Sequence, residues 1–572
     1  MTAPRFRFIA AALALPLVSA AGAQQADAAT PSVLLVGSFN GVTGGYSTIQ
    51  AAVDAAQPGD WILVGPGDYH EKGTDKAGVY ITTPGLHLRG MNRNNVVVDG
   101  TNSGGSMPCD PTPSLQDFGP VDSSGTAAGR NGVEVWKADG VSIENLTACN
   151  YLSSGGGGNG NEIWWNGGDG SGQVHLGALS GAYLTATSTY NYDKDKAHNP
   201  NGAQGKYGIF TSNESGPGVI THTYASNMGD SAYYIGACPD CNVDLVDAHA
   251  QNSALAFSGT NAGGHLIIEN GEFDNNKAGL GPNTLNNDDA PSPADGTCPN
   301  GATGPTGSHS CAVIRNNKIH DNNNPNTPQF GIAGAVPVGT GVVLPGVANY
   351  TVTGNQIYNN NSWGVVITDF PDTETPPPTL SATACRGGMD ATTPAQSLCY
   401  YPAFGNEIAG NTFSKNGSFG NPSNGDLADN NLAHSPGNCF HDNTDAAGLT
   451  SDPPSIQTVM GTCGAPGGWT GFTLQQLVCA SGPVINIGST AIQCPPNLPA
   501  ATYPQTTGVQ MTDIPAGLPT MPDPCAGVPA NPWCALGASV PEFRPATVGA
   551  VGAAMLAAAF LGTLAWRRRR TV

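Results

Sequence analysis

Charged side chains are scarce in this sequence: Asp, Glu, Lys and Arg together make up 11% of its 572 residues. That scarcity excludes long surface helices built on Glu and Lys, while 78 glycines and 46 prolines require frequent turns. The composition points to an all-β chain. Positive charge is scarcer still, with 21 Lys and Arg against 42 Asp and Glu, so no nucleic acid is expected among its partners. Hydrophobic residues are not lacking: at 39% they suffice for a sizeable core, which excludes global disorder.

Long apolar runs occur only at the two ends. Arg5 and Arg7 precede "FIAAALALPLVSAAGA", and Ala21 and Ala23, or Ala26 and Ala28, offer cleavage sites, which predicts a secretory signal peptide over residues 1–29. From Ala546 to Trp566 the uncharged run "ATVGAVGAAMLAAAFLGTLAW" is long enough to cross a bilayer and meets Arg567 to Arg570. This predicts one transmembrane helix over 546–566 and a cytoplasmic basic tail over 567–572. The preceding "VPEFRP" resembles bacterial C-terminal sorting tails, in which a short Pro-Glu motif precedes an apolar segment and an arginine cluster. The expectation is an exported protein anchored at the cell surface. With Arg5, Arg7 and the four terminal arginines set aside, 15 basic residues face 42 acidic ones outside, a net charge of −27.

Fourteen cysteines in an exported chain predict disulfides. Proximity suggests Cys298–Cys311, Cys385–Cys399, Cys439–Cys463, Cys479–Cys494 and Cys525–Cys534, and "CPDC" at Cys238 to Cys241 reads as a local disulfide. A zinc half-site lacks a second such pair.

One sentence recurs along the chain: "ENGEFDNN" from Glu269, "RNNKIHDN" from Arg315, "TGNQIYNN" from Thr353 and "AGNTFSKN" from Ala409. Aligned on their last asparagines, the copies end at Asn276, Asn322, Asn360 and Asn416, with weaker relatives ending at Asn150, Asn191, Asn227 and Asn252. The shortest intervals suit one coil of a β-solenoid. Three residues before the asparagine stands Tyr224, His249, Phe273, Ile319, Ile357 or Phe413, so this position is expected to face inward. On that basis His249 is a core histidine, and His222 occupies a turn. Alternation then sends Glu272 and Asp274, Lys318 and His320, Gln356 and Tyr358 outward. Asparagine tolerates tight-turn conformations and hydrogen-bonds neighbouring backbone, so its stacking at one corner predicts an asparagine ladder. Each copy is one coil, which cannot bury its apolar face without a neighbour.

Ahead of the repeats, "STIQAAVDAAQPGDWILVGPGDY" places Ile49, Ala52, Val53 and Ala56 on one helical face, followed by a turn and the strand "WILV". This segment, with coils such as "GNQIYNNNSWGVVI", resembles the right-handed parallel β-helix family with a pectin-lyase-like fold, over roughly Val33 to Asn416. The resemblance implies an N-terminal capping helix and a β-helix domain over 30–440. Residues 441–545 read as a Cys/Pro-rich cap and stalk. The Pro-, Gly- and Asn-rich segments from Gly281 to Ser310 and from Pro371 to Cys399 read as protruding loops.

If the first of these is wholly a loop, the coils of Phe273 and Ile319 are neighbours. Glu272 then lies beside Lys318 and Asp274 beside His320, about 4.8 Å apart, which makes these four the candidate catalytic residues. Asp288 and Asp289 of "NNDDA" could supply oxygen ligands for Ca2+. The alternative for this patch is a solvated face with weak ion pairs. Trp164 in "WWNGGDG" is a candidate platform for a sugar ring. Within the resembled family, pectate-lyase-like members use Ca2+ held by carboxylates and a basic residue, and polygalacturonase-like members use "NTD", "DD" and "GHG". Here "GHG" and "NTD" are absent, and "NDD" falls in a loop. Two readings follow: a surface β-helix protein that interacts with carbohydrate as a binding or structural scaffold, or a calcium-dependent polysaccharide lyase or C5-epimerase acting on acidic glycans. Whether the protein is an enzyme stays open at this point.

Overall fold

The strand Val33–Val36 pairs in parallel with Trp61–Val64, which pairs in the same sense with His87–Gly90 one coil further on. In the computed structural model, which describes residues 31–534 apart from 285–297, 372–388, 494–502 and several shorter stretches, that pattern continues to Cys439–His441. Each coil adds strands to a 21-stranded sheet that wraps two faces and to a 12-stranded sheet on the third. The result is a parallel β-helix.

Alternation decides what fills the interior. Phe273, Ile319, Ile357 and Phe413 stack in register inside the 21-stranded sheet, each at most 1% exposed. Opposite them Ile163, Ile209, Tyr233 and Phe257 form a second inward column. Burying an apolar side chain of this size contributes about 1.5–3 kcal/mol, and each column is complete only when the next coil is in place.

The asparagines stack as expected: Asn276 Nδ2 donates to Asn322 Oδ1 at 3.0 Å, Asn322 to Asn360 at 3.1 Å and Asn360 to Asn416 at 3.3 Å. A second ladder runs from Asn317 through Asn355 and Asn411 to Asn443, and a shorter one joins Asn406 to Asn438. Further up the solenoid the register expected from the asparagines is off by one. Phe273 pairs with Ala250 and then Ala225, so these alanines face inward, while Tyr224 and His249 face outward. The reason lies at the corner: Asn252 takes the left-handed conformation that Asn275 takes in the next coil, and Ser253 stands level with Asn276.

The helix Ile49–Ala55 is capped by Thr48, whose side chain accepts from the Ala51 amide, and packs its Ile49, Ala52 and Val53 face on the first coil. No helix among the described residues is long and apolar enough to cross a membrane. The signal peptide over 1–29 and the span over 546–566 lie outside the described residues. Of the expected disulfides, Cys238–Cys241, Cys298–Cys311, Cys439–Cys463 and Cys525–Cys534 are formed. Cys385 and Cys494 lie outside the described residues. Cys109–Cys149, 40 residues apart in sequence, escaped a search by proximity because the coil brings its ends together.

Three expectations about segments outside the coils need correction. The segment from Pro371 to Cys399 is not wholly a loop, because Met389–Thr393 and Gln396–Tyr401 pair as antiparallel strands. The segment from Gly281 to Ser310 is not wholly a loop: Gly281 to Asn283 complete the strand Ala278–Asn283, and Ala302–Thr303 pairs with His309–Ser310. The coils of Phe273 and Ile319 are nonetheless adjacent. Residues 503–534, read as part of a Cys/Pro-rich cap and stalk over 441–545, run back along the solenoid. Tyr503 packs beside Val338, Asn227 and Asn252 donate to the carbonyls of Thr512 and Gln510, Arg93 donates to Pro519 and Arg89 to Ala526. The strap ends with Trp533 Nε1 on the carbonyl of Val42, beside the first coil.

Candidate functional site

The strand Asn161–Asn166 carries two adjacent tryptophans, and alternation turns them to opposite faces. Trp165 is fully buried in the core, its Nε1 donating to the carbonyl of Val141 at 3.2 Å. Trp164 points outward and stays half-buried, its Nε1 fixed by Ser212 Oγ at 3.1 Å. In register on the next strands stand Phe210 and Tyr234. The Trp164 and Phe210 rings are stacked, 4.7 Å between centroids and 4° between planes, and Tyr234 and Tyr207 meet Phe210 at 4.6 Å and 4.8 Å.

This aromatic cluster forms one end of a cleft of about 840 Å³ that follows the outer face of the 12-stranded sheet. Trp136 lies at that end as well, with the amines of Lys76 and Lys137 over its ring at 4.9 Å and 5.1 Å. Towards later coils the floor turns small and aliphatic, through Ser258, Gly281 and Val343, and the walls are made by Ile332, Ala333, Val336 and Phe370.

Few charges line the cleft, and those that do already have partners. Lys206 donates to the carbonyl of Gly157 at 3.2 Å and lies over the rings of Tyr207 and Phe330. Burial pulls its pKa down, against the pull of Asp230 upward. Asp230 accepts from Tyr207 Oη at 3.0 Å; burial pushes its pKa up to about 6, opposed by Lys206 and by the hydrogen bonds. Asp169 meets Lys137 at 2.5 Å, and that hydrogen bond holds its carboxyl below the usual range. Asp369 accepts from the amides of Ala403 and Leu432, and burial raises its pKa to about 6.

The residues expected to be catalytic lie on the 21-stranded sheet instead. Glu272 pairs with Lys318 and Asp274 with His320, as adjacency of the coils required. Their side chains make different partnerships. Asp274, buried, is held by His249 Nε2 at 2.7 Å and by Gln251 Nε2 at 2.9 Å. Burial works against its charge, but these partners prevail and its pKa is lowered. His320 reaches across to Glu272 through Nε2 at 3.2 Å, holds Asp321 through Nδ1 at 2.7 Å and stacks on Tyr358 at 4.5 Å. Both its ring nitrogens are thereby engaged, while Lys318 stays exposed. The turn read at His222 is present, its φ being 55°.

The proposed calcium ligands Asp288 and Asp289 lie outside the described residues. Among those described, Asp68, His70 and Asp99 bring a donor atom each within 4.8 Å of one another. Asp99 is already bound by the Thr101 and Cys109 amides, and three donors fall short of the roughly six to eight oxygens calcium takes.

Trp164 was legible as a candidate, but Tyr207, Phe210, Tyr234, Lys206 and Asp230 were not. A usable signal was there: "WW", "YGIF" and "AYYIG" carry aromatics at one common offset within successive coils.

No protein-family description and no curated protein matches the chain. Among solved structures it is similar to the A-module of the mannuronan C-5 epimerase AlgE4 of Azotobacter vinelandii, at 15% identity and a TM-score of 0.38 over 69% of this chain and 90% of that one. It is also similar to an alginate lyase from a Paenibacillus strain, at 16% identity and 0.30 over 69% and 97%. The tailspike protein of E. coli bacteriophage HK620, solved with a pentasaccharide, matches at 11% identity and 0.35 over 72% and 58%. Likenesses this distant carry no argument about chemistry, and the fold assignment rests on the chain's own strand pairing.

Proposed function

We propose that this is a β-helix protein that binds carbohydrate at the cell surface through the cleft on its 12-stranded sheet. The observation that carries the reading is the partly exposed Trp164, locked in orientation by Ser212 and set in a concave, mostly apolar cleft with a few convergent polar groups. An indole costs free energy to leave in water, and the apolar face of a sugar ring covers it while the hydroxyls stay hydrated. Each coil advances about 4.8 Å, comparable to the length of one sugar unit, so a glycan lying along the axis meets equivalent positions coil after coil. Export is supported by the disulfides, which persist in oxidising surroundings. Anchoring through residues 546–566 belongs to the same proposal. The test is a glycan array probed with the full-length protein and with Trp164→Ala. Binding that the substitution abolishes supports the reading, and wild-type protein that binds no glycan ends it.

A second reading, a polysaccharide lyase or C5-epimerase, is supported by the exposed Lys318 beside Glu272 on adjacent coils. Incubation with alginate and with pectin, with Ca2+ and with chelator, tests it. Ultraviolet-absorbing product or changed uronate stereochemistry, lost in Lys318→Ala, is the expected outcome, and unchanged polymer with Ca2+ present rejects it.

A further inference from the structure

The two ends of the cleft differ in chemistry, and the cleft holds no excess of positive charge. At one end Trp164 stacks on Phe210 and stays partly exposed. At the far end Ile332, 47% exposed, and the partly exposed Val336 leave an aliphatic surface over the buried Leu255 and Val343. A bare polyhydroxylated chain would leave that surface in contact with hydroxyls and gain nothing from it.

The charged groups argue in the same direction. Four carboxyl or amine side chains line the cleft: Asp169, Asp230, Asp369 and Lys206. The one cation among them, Lys206, is half-buried and engaged by the carbonyl of Gly157, Lys137 at the rim is spent on Asp169, and Lys76 lies over Trp136. A polyuronate presents one carboxylate per sugar and would meet three acids against Lys206, Lys137 and Lys76, no excess of positive charge, on a chain whose net charge is already −21.

We propose that the cleft selects an uncharged saccharide bearing acyl groups, with sugar rings over the Trp164 end and acyl substituents against the aliphatic end. The inference rests on the reading of the cleft as a carbohydrate site. It goes further in naming the ligand class and in assigning Ile332 and Val343 a part in specificity. An acetyl methyl removed from water here contributes on the scale of one buried carbon group, and several along a chain multiply the preference.

Two neutral β-1,4-linked hexamers separate this claim from the one beneath it: cellohexaose, and the hexamer of N-acetylglucosamine, which differs at each ring by an acetamido group in place of a hydroxyl. Titration calorimetry on the full-length protein is expected to show the acetylated hexamer binding at least tenfold tighter, with no binding of a mannuronate hexamer. Ile332→Asp, at an exposed position that leaves the core intact, is expected to reduce the tenfold difference to less than twofold. Val343→Ser is expected to reduce it as well, with the thermal midpoint of each variant confirming a folded chain. Equal affinity for the two hexamers, or binding of the mannuronate hexamer as tight as that of the acetylated one, overturns the selectivity and leaves the carbohydrate reading standing. A preference undiminished in both folded variants overturns the assignment of the aliphatic end. Absence of binding to all three hexamers, together with a blank glycan array, removes both.

Discussion

The indole of Trp164 lies parallel to the ring of Phe210 on the next coil, 4.7 Å between centroids and 4° between planes. Forty-six residues separate them in sequence, yet the solenoid sets them side by side in exact strand register. One residue further along, Trp165 is turned into the core by the same pleat.

That contrast makes a paired prediction. Trp164→Ala should keep the fold and lower affinity for a bound glycan at least tenfold, about 1.4 kcal/mol. Trp165→Ala should cost about 3–5 kcal/mol of stability by leaving a cavity in the core. Calorimetric titration and thermal melting of the two variants, side by side, check both halves.

The asparagine ladder predicts a position-specific loss. Asn322 accepts from Asn276 Nδ2 and donates to Asn360 Oδ1 and to the carbonyl of Phe273, all within a fully buried corner. Asn322→Ala orphans groups on two coils, and each buried unsatisfied group costs about 1–3 kcal/mol. Chemical denaturation should show a fall of at least about 2 kcal/mol, and a variant that melts like the wild type would show the ladder to be decoration.

Asp429 predicts a pH effect. It is fully buried inside the late coils, one oxygen accepting from Asn438 Nδ2 at 2.8 Å and the other without a partner, and burial pushes its pKa up to about 8. A carboxyl whose pKa is higher folded than unfolded binds its proton more tightly in the native state. Its contribution to stability therefore falls as pH rises from the unfolded value towards about 8. Asp429→Asn, which carries no charge, should raise the thermal midpoint at pH 8 by at least about 2 °C and change it little at pH 4. An equal shift at both pH values would refute the assignment.

Arg93 predicts how the strap is held. Buried at 2% exposure, it donates to the carbonyls of Pro519 and His222, to Leu184 and to Thr185 Oγ1. Arg93→Ala removes these bonds and leaves their carbonyls unpaired. Limited proteolysis should then cut between residues 505 and 530 at least tenfold faster than in the wild type, with the coils themselves resistant. Unchanged cleavage would mean that Arg89, Asn227 and Asn252 hold the strap unaided.

The coil repeat was legible because a solenoid writes its neighbours' contacts at regular intervals: apolar Phe273, Ile319, Ile357 and Phe413, and asparagines three residues on. The pairing of Glu272 with Lys318 and of Asp274 with His320 followed from the same regularity. One coil before Glu272 that regularity breaks, and His249, read as inward, faces outward and binds Asp274. An asparagine in a left-handed corner and one in a ladder look alike in sequence, and only the backbone conformation distinguishes them.

Taken alone, the sequence determined that this chain is all-β, that it stacks coils, that its core residues alternate with outward ones, and that Trp164 is a candidate sugar platform. Those properties depend on period and composition, which are local. The tertiary structure decided which outward face is concave, that Tyr207, Phe210 and Tyr234 gather beside Trp164, that Lys206 and Asp230 line the same cleft, and that residues 503–534 return to the first coil. Those depend on distances between residues tens to hundreds of positions apart, set by loop lengths, by corner conformations and by the path of a strap with no period of its own.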